Sequence, residues 1–168
     1  MAAAEDLISL LNLEPLSVEG GFYAETYRSN EKIPDGALPA RYHGSRPFGT
    51  AIYYLLTPET VSTMHRLPSD EVFHFYLGDP VQMLQLHPDG SGKVIVLGPD
   101  LLAGMRPQVV VPRGVWQGAR LVHGGRFALM GTTVAPGFDC ADYEAGPRAD
   151  LIEKYPDFAQ MIVSLTRG

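Results

Sequence analysis

A histidine and a glutamate next to one predicted turn, His65 and Glu71, are the residues of this chain best suited to proton chemistry. Strand alternation gives His65 the same face as Leu67, and a Pro-Ser-Asp turn then reverses the chain before Glu71. If that face is interior, an imidazole that titrates near neutral pH and a carboxylate converge in one cavity. We therefore predict His65 and Glu71 as catalytic residues.

Six further side chains are predicted to line the same cavity and bind a ligand. Two aromatic residues follow Glu71 at alternate positions and share its face, and a later glycine-containing turn delivers an amide into another strand. Alternation also places three side chains of the first strand on one face, which either is an exposed edge or closes the cavity mouth. The predicted ligand-binding residues are Phe73, Phe75, Gln117, Tyr23, Glu25 and Tyr27.

Short strands separated by turn residues must position these side chains. Segments rich in β-branched and aromatic residues follow one another over residues 49–134, at intervals of roughly 8 to 12 residues. Because no helical pattern lies between them, the spacing predicts an antiparallel sandwich or barrel and excludes βαβ units. Helical periodicity occurs near the ends, in residues 2–11 and 147–165, and residues 29–47 form a long loop or loose hairpin. We predict one all-β domain over residues 1–168, with short N- and C-terminal helices.

Composition argues against several classes of function. The net charge is −6, and the 13 Lys and Arg residues are scattered, which disfavours a nucleic-acid partner. No run approaches the roughly 18 apolar residues of a membrane span. The single cysteine, Cys140, cannot form an intrachain disulfide and is expected to be buried or unreactive. The N-terminal segment carries acidic residues where a secretory signal has basic ones. Together with the single cysteine, this segment indicates a cytoplasmic protein.

The spacing of His65, Glu71 and Gly78, with Leu67 between the first two, carries a resemblance to a known superfamily. It resembles the first cupin motif, His-x-His, three or four residues, Glu, six residues, Gly, with Leu67 in place of the second histidine. A later stretch, Pro112-x-Gly114-x-x-Gln117-x-x-x-Leu121, is similar to the second cupin motif, Pro-x-Gly-x-x-His-x-x-x-Asn. Gln117 stands in place of the motif's histidine, and Leu121 stands in place of its asparagine.

Longer strings extend the resemblance over about residues 7–144; they are VEGGFYAETYRS, GTAIYYLLTP, DEVFHFYLGDP, LQLHPDG, LGPDLLAGMRPQVVVPRGVWQ and VAPGFD. They are similar to the uncharacterised cupin group known as the domain-of-unknown-function 985 (DUF985), or cupin-5, family. The resemblance implies a cupin-type jelly roll, or double-stranded β-helix, that is usually dimeric and related in shape to deoxysugar epimerases. It implies no known reaction.

The resemblance also bears on metal binding. Metal-binding cupins carry three histidines and a glutamate, whereas Leu67 offers no donor atom and Gln117 offers only an amide oxygen. We therefore predict no cofactor, with His65, Glu71 and Gln117 as the candidate ligands if a divalent metal is held. Without a metal, His65 and Glu71 pair with each other, bind an organic ligand directly, or form a satisfied polar pair in the core.

Three functions fit these features. The first is a small-molecule-binding cupin that acts as a sugar-type isomerase or epimerase, with His65 as general base or acid and Glu71 orienting it or making the reverse proton transfer. The second is a non-catalytic ligand-binding or sensor module, and a metal-dependent cupin enzyme is a third. In each case we expect a homodimer with a small-molecule ligand, without nucleic-acid or membrane partners.

Overall fold

The computed structural model describes residues 3–167, which form short helices at both ends of a run of β-strands. No helix among these residues is long and apolar enough to cross a membrane. The helices are α1 (Ala4–Leu10), α2 (Arg148–Lys154) and α3 (Ala159–Ser164). The strands are β1 (Glu14–Pro15), β2 (Phe22–Arg28), β3 (Lys32–Ile33), β4 (Arg46–Pro47), β5 (Thr50–Leu56), β6 (Ser62–Arg66), β7 (Asp70–Gly78), β8 (Val81–Leu86), β9 (Gly92–Leu97), β10 (Gln108–Val111), β11 (Trp116–Leu121), β12 (Ala128–Ala135) and β13 (Glu144–Ala145).

The predicted all-β architecture with short terminal helices is confirmed. Each segment predicted as a strand within residues 49–134 forms one, because turn residues end the β-branched runs where the sequence indicated. The N-terminal helix was predicted from residue 2, which lies outside the described residues, and α1 begins at Ala4. Residues 29–47 form a loose hairpin in which β3 pairs with β4.

Two antiparallel sheets face each other. One sheet has the strand order β1-β2-β5-β12-β7-β10, and the other has the order β13-β6-β11-β8-β9. The chain crosses between the sheets on both sides of β6, so that β6 lies in one sheet while β5 and β7 lie in the other. His65 on β6 and Glu71 on β7 therefore approach each other from opposite sheets.

The helices cover the outer faces of this sandwich. Between the sheets, Phe73, Met130, Met83 and Leu97 belong to one buried cluster that draws on both sheets. The outer face of the five-stranded sheet packs against α2 and α3, and the outer face of the six-stranded sheet packs against α1. The helices bury apolar side chains that the sheets would otherwise expose to water.

Two β-bulges in the six-stranded sheet change which side chains face the interior. Thr26 of β2 has no partner in the register with β5, which pairs Glu25 with Ile52 and Tyr27 with Ala51. Tyr76 of β7 is likewise left out of the register with β12. Each bulge shifts the alternation by one residue, which matters most for Tyr27, whose side chain is 56% exposed.

Candidate functional site

A cavity of about 450 Å³ lies between the inner face of the six-stranded sheet and β6. This volume is in the range of sites that hold small organic ligands, which spans roughly 300–1,000 Å³. Its walls come from strands of both sheets and from the segments that precede β2 and follow β12. The lining residues are Leu16, Val18, Glu19, Tyr23, Glu25, Arg28, Thr50, Ile52, His65, Leu67, Glu71, Thr132, Val134, Phe138, Asp139, Cys140 and Tyr143.

The ring of His65 is fixed in one orientation inside this cavity. Its Nδ1 atom donates a hydrogen bond to the backbone carbonyl oxygen of Thr63 at 2.7 Å, which makes Nδ1 the protonated nitrogen of the neutral ring. Tyr143 stacks on the imidazole with ring centroids 5.0 Å apart and planes inclined by 18°. Nε2 is therefore the nitrogen that is left to exchange a proton.

Glu19, which the sequence analysis did not select, is the carboxylate near that nitrogen. Its Oε2 atom lies 3.8 Å from His65 Nε2, which is longer than a hydrogen bond, so the two groups attract each other strongly only when the imidazole carries a proton on both nitrogens. The Ser62 hydroxyl donates to Oε1 of Glu19, and the backbone N–H and hydroxyl of Thr63 both donate to its carbonyl oxygen. The sequence signal for this segment was the pair of glycines that follows Glu19. Gly20 has a φ of 111° and lies close to the Val61 carbonyl oxygen, where a side chain would not fit.

Glu71 is buried and is hydrogen-bonded by neutral groups. The amide nitrogen of Gln117 donates to Oε2 of Glu71 at 2.7 Å, and the Thr132 hydroxyl also bonds the carboxyl group. Burial raises the pKa of Glu71, and the negative charge of Glu19 raises it further, against smaller opposing effects of His65 and the two hydrogen bonds. Glu71 therefore keeps its proton to higher pH than an ordinary glutamate does.

Several predicted ligand-binding residues lie elsewhere than the cavity wall. Gln117 is buried behind Glu71, because it sits opposite His65 in the β6–β11 register and turns its amide toward the carboxyl group. Phe73 belongs to the core cluster, and Phe75 packs against that cluster. Along β7 the cavity thus ends at Glu71, and apolar packing begins two residues later.

The β2 wall also differs from the prediction. Tyr23 and Glu25 line the cavity, but the bulge at Thr26 turns Tyr27 outward and brings Arg28 to the cavity instead. Arg28 forms an ion pair with Glu25 at 2.8 Å and donates to the carbonyl oxygen of Phe138 at 3.2 Å. A hydrogen bond to Glu14 is the main cause of the raised pKa of Tyr23.

The segment after β12 closes the mouth of the cavity. Asp139, Cys140 and Tyr143 line it, and Cys140 is exposed, so the prediction of a buried thiol is wrong, while the alternative of an unreactive thiol stays a prediction. Nothing in the local sequence indicated that this loop folds back over β2.

The donor atoms of the cavity do not suit a resident metal ion. Within residues 3–167, no three His, Cys, Asp or Glu side chains converge closely enough to hold one. Leu67 stands beside His65 on the cavity wall and offers no donor, and Gln117 does not line the cavity. A transition metal here would have too few strong ligands.

Comparisons with known proteins agree with this architecture. The family model Cupin_5, described as "Cupin superfamily (DUF985)", matches residues 5–146. The solved structure of protein SO0799 from Shewanella oneidensis is 36% identical with a TM-score of 0.87, and the similarity covers 99% of both chains. A hypothetical protein from Leishmania major is 31% identical with a TM-score of 0.87, over 99% of this chain and 100% of that chain.

A curated relative is also detected. The uncharacterised protein YML079W from Saccharomyces cerevisiae is 32% identical over 133 residues, which are 74% of this chain. The chain spans 66% of the length of that yeast protein.

Proposed function

This chain belongs to the Cupin_5 (DUF985) family of the cupin superfamily, and we propose that its cavity binds a small polar organic molecule and transfers a proton on it. The observation that carries the proposal is the arrangement of His65. Its Nδ1 atom is held by a backbone carbonyl, while Nε2 faces the Glu19 carboxylate at 3.8 Å without a hydrogen bond to it. A fixed imidazole with one free nitrogen and a nearby anion is the arrangement expected of a general base.

Isomerisation or epimerisation of a sugar-like substrate is the reaction class that uses these groups. His65 Nε2 takes the proton of a C–H bond next to a carbonyl group, and the electron pair of that bond moves into an enolate. Glu19 stabilises the imidazolium that results. Glu71, whose raised pKa favours its protonated form, returns a proton to the carbon. Both groups regain their starting protonation by exchange with solvent.

A non-catalytic ligand-binding or sensor module is the second candidate. The hydrogen bonds from Gln117 and Thr132 that hold the Glu71 carboxyl group favour a fixed binding group over a mobile proton donor. The ion pair of Glu25 with Arg28 at the mouth likewise favours a fixed binding group. In this alternative the cavity recognises its ligand and releases it unchanged.

The proposal also includes the setting in which the protein acts. We take it to be a cytoplasmic homodimer that forms one domain over residues 1–168 and binds a small molecule without a metal, a nucleic acid or a membrane. The net charge of −6 and the single free cysteine support this setting.

A metabolite panel followed by isotope exchange tests the proposal. Compounds that raise the melting temperature of the wild-type protein are incubated with it in D₂O, and the loss of C–H signals is followed by proton NMR. We expect at least one bound compound to exchange a proton next to its carbonyl group, and we expect His65→Asn and Glu19→Gln to abolish that exchange. Elemental analysis of the purified protein should find no stoichiometric metal.

The matched control is His123→Asn, because His123 is exposed in a turn and does not line the cavity. Stabilisation without exchange assigns the binding-module alternative. Stabilisation that persists unchanged in His65→Asn and in Glu19→Gln contradicts both candidates, because the ligand then binds elsewhere.

A further inference from the structure

A second concave site adjoins the cavity. It is a cleft of about 580 Å³, and Leu67 and Tyr143 line both spaces, so these two side chains form the wall between them. The cleft is lined by Arg41, His43, Arg66, Leu67, Pro68, Arg113, Gly114, Ala141, Asp142, Tyr143 and Glu144. We refer to it as the arginine cleft.

Positive charge is concentrated in the arginine cleft, although the protein carries a net charge of −6. Its two acids are both engaged in ion pairs, Asp142 with Arg46 at 2.6 Å and Glu144 with Arg66 at 2.8 Å. Among residues 3–167, neither Arg41 nor Arg113 forms an ion pair with a carboxylate. Two guanidinium groups are thus left for an anion from solution.

The backbone and neighbouring rings position these cationic groups. Arg41 donates from Nε to the Pro68 carbonyl oxygen at 2.9 Å, and its guanidinium lies 5.0 Å from the ring centroid of Tyr42. The backbone N–H of Arg113 donates to the Asp70 carboxylate at 2.8 Å, which fixes the turn that carries its side chain. A stacked and hydrogen-bonded guanidinium such as that of Arg41 loses less conformational freedom when it binds an anion.

The two spaces have opposite charge. The cavity is lined by four acids and by one arginine, Arg28, which pairs with Glu25, so its charge disfavours an anionic group, whereas the cleft on the other side of Leu67 and Tyr143 attracts one. We infer that the arginine cleft binds the phosphate group of an organic phosphate whose uncharged hydroxyl or carbonyl part occupies the cavity. For the part of the ligand in the cavity, the inference rests on the proposed function. Anion binding by the cleft can be measured independently. Guanidinium groups favour phosphate because their planar N–H donors match its oxygens.

Inorganic pyrophosphate is the first probe. Isothermal titration of the full chain should show binding that weakens with salt. Arg113→Gln and Arg41→Gln should each weaken pyrophosphate binding about tenfold, because each removes a charge-assisted contact. Lys93→Gln is the matched control, since Lys93 is exposed on β9 at the far edge of its sheet. Binding that is absent in the wild type, or equal in the wild type and the double arginine variant, overturns the inference.

Pairs of sugar phosphates and the corresponding free sugars form the second probe. Thermal shifts should be larger for the phosphorylated member of a pair, and the difference should vanish in the double variant Arg41→Gln/Arg113→Gln. A panel without such a difference overturns the inference. The inference is also overturned if pyrophosphate binds but no sugar phosphate shifts the NMR signals of cavity residues in addition to those of the cleft. Pyrophosphate binding that survives in His65→Asn supports the cleft even if the proton-transfer proposal fails. A phosphate-free ligand whose binding needs His65 but neither arginine supports the proposed function of the cavity and contradicts the inference about the cleft.

Discussion

Three glutamates of the cavity differ in their surroundings, and these differences assign them different tasks. Glu25 is paired with Arg28 near solvent, so its charge is neutralised at the mouth. Glu19 is hydrogen-bonded by Ser62 and faces His65, so it is placed to stabilise the imidazolium that proton transfer would form. Glu71 is buried among neutral hydrogen-bond donors. The fold therefore disfavours ionisation of Glu71, and burial raises the pKa of its carboxyl group.

Replacing Glu71 by glutamine tests this reading of its charge. Burial raises the native pKa, while the unfolded chain has the ordinary value of about 4.3. The folded protein thus binds the proton more tightly, so the contribution of Glu71 to stability is complete below about pH 4 and is lost as pH rises through the native pKa. Glu71→Gln cannot ionise, and we expect it to equal or exceed the wild type in free energy of unfolding at neutral pH. Urea denaturation at a series of pH values measures the difference.

Glu59→Gln serves as the reference, because Glu59 is exposed in the turn after β5. Its free energy of unfolding should stay within about 0.5 kcal/mol of the wild type, as is usual for an exposed substitution. A loss of about 3 to 5 kcal/mol in Glu71→Gln at neutral pH would instead indicate an ionised Glu71 in a buried charge pair. In the expected case, ligand binding changes more than stability does.

One buried ion pair joins the two loops that frame the site. Arg46 of β4 donates from Nε and Nη2 to both carboxylate oxygens of Asp142, at 2.8 and 2.6 Å, and its Nη1 donates to the carbonyl oxygens of His43, Gly44 and Ser45. The side chains are only 2% and 5% exposed. Asp142 directly precedes Tyr143, so the loose hairpin of residues 29–47 holds the wall between the cavity and the arginine cleft.

Asp142→Asn should destabilise the protein and loosen this wall. The substitution leaves the Arg46 charge buried without its anion, which typically costs about 3 to 5 kcal/mol. We expect a loss of that size in urea denaturation, together with faster hydrogen exchange at the amides of Ala141 and Tyr143.

Arg126→Gln provides the comparison, because the pair of Arg126 and Asp79 is longer, at 3.5 Å, and Arg126 is 59% exposed. Removing an exposed partner of this kind should cost at most about 1 kcal/mol. Equal losses in the two variants would show that the Arg46 pair does not hold the loops.

The elements of this fold were more predictable than the site they build. Turn residues and β-branched runs are local signals, and they located β5 to β12 closely. The β-bulge at Thr26 has no comparable signal, so simple alternation assigned Tyr27 to the face that Arg28 occupies. Glu19 and Tyr143 reach His65 from segments 46 residues before it and 78 residues after it in the chain, and no local pattern encodes such contacts.

At the scale of the whole molecule, β2 leaves an open sheet edge. β1 pairs with β2 only at Phe22 and Tyr23, and the remainder of β2 has no further strand on that side within the described residues. Exposed edges of this kind are usually covered or paired. A second copy of the chain is the partner that we expect there.

Sedimentation velocity should therefore find a dimer at micromolar concentration, and Tyr27→Asp should weaken it. Tyr27 is 56% exposed on β2, and a charge at a subunit contact disfavours association. Val94→Asp is the matched control, because Val94 is 46% exposed on β9, the edge strand of the other sheet. A monomeric wild type contradicts the dimer, and a dimer insensitive to Tyr27→Asp places the contact elsewhere.

The strand order also has a consequence for biosynthesis. The central position of each sheet is filled late, since β11 inserts between β6 and β8, and β12 inserts between β5 and β7. A nascent chain that ends before β11 has gaps in the middle of both sheets, and the strands that flank each gap present unpaired backbone groups. Folding on the ribosome must therefore wait until residue 135 has emerged, and prematurely terminated chains will be aggregation-prone substrates for chaperones.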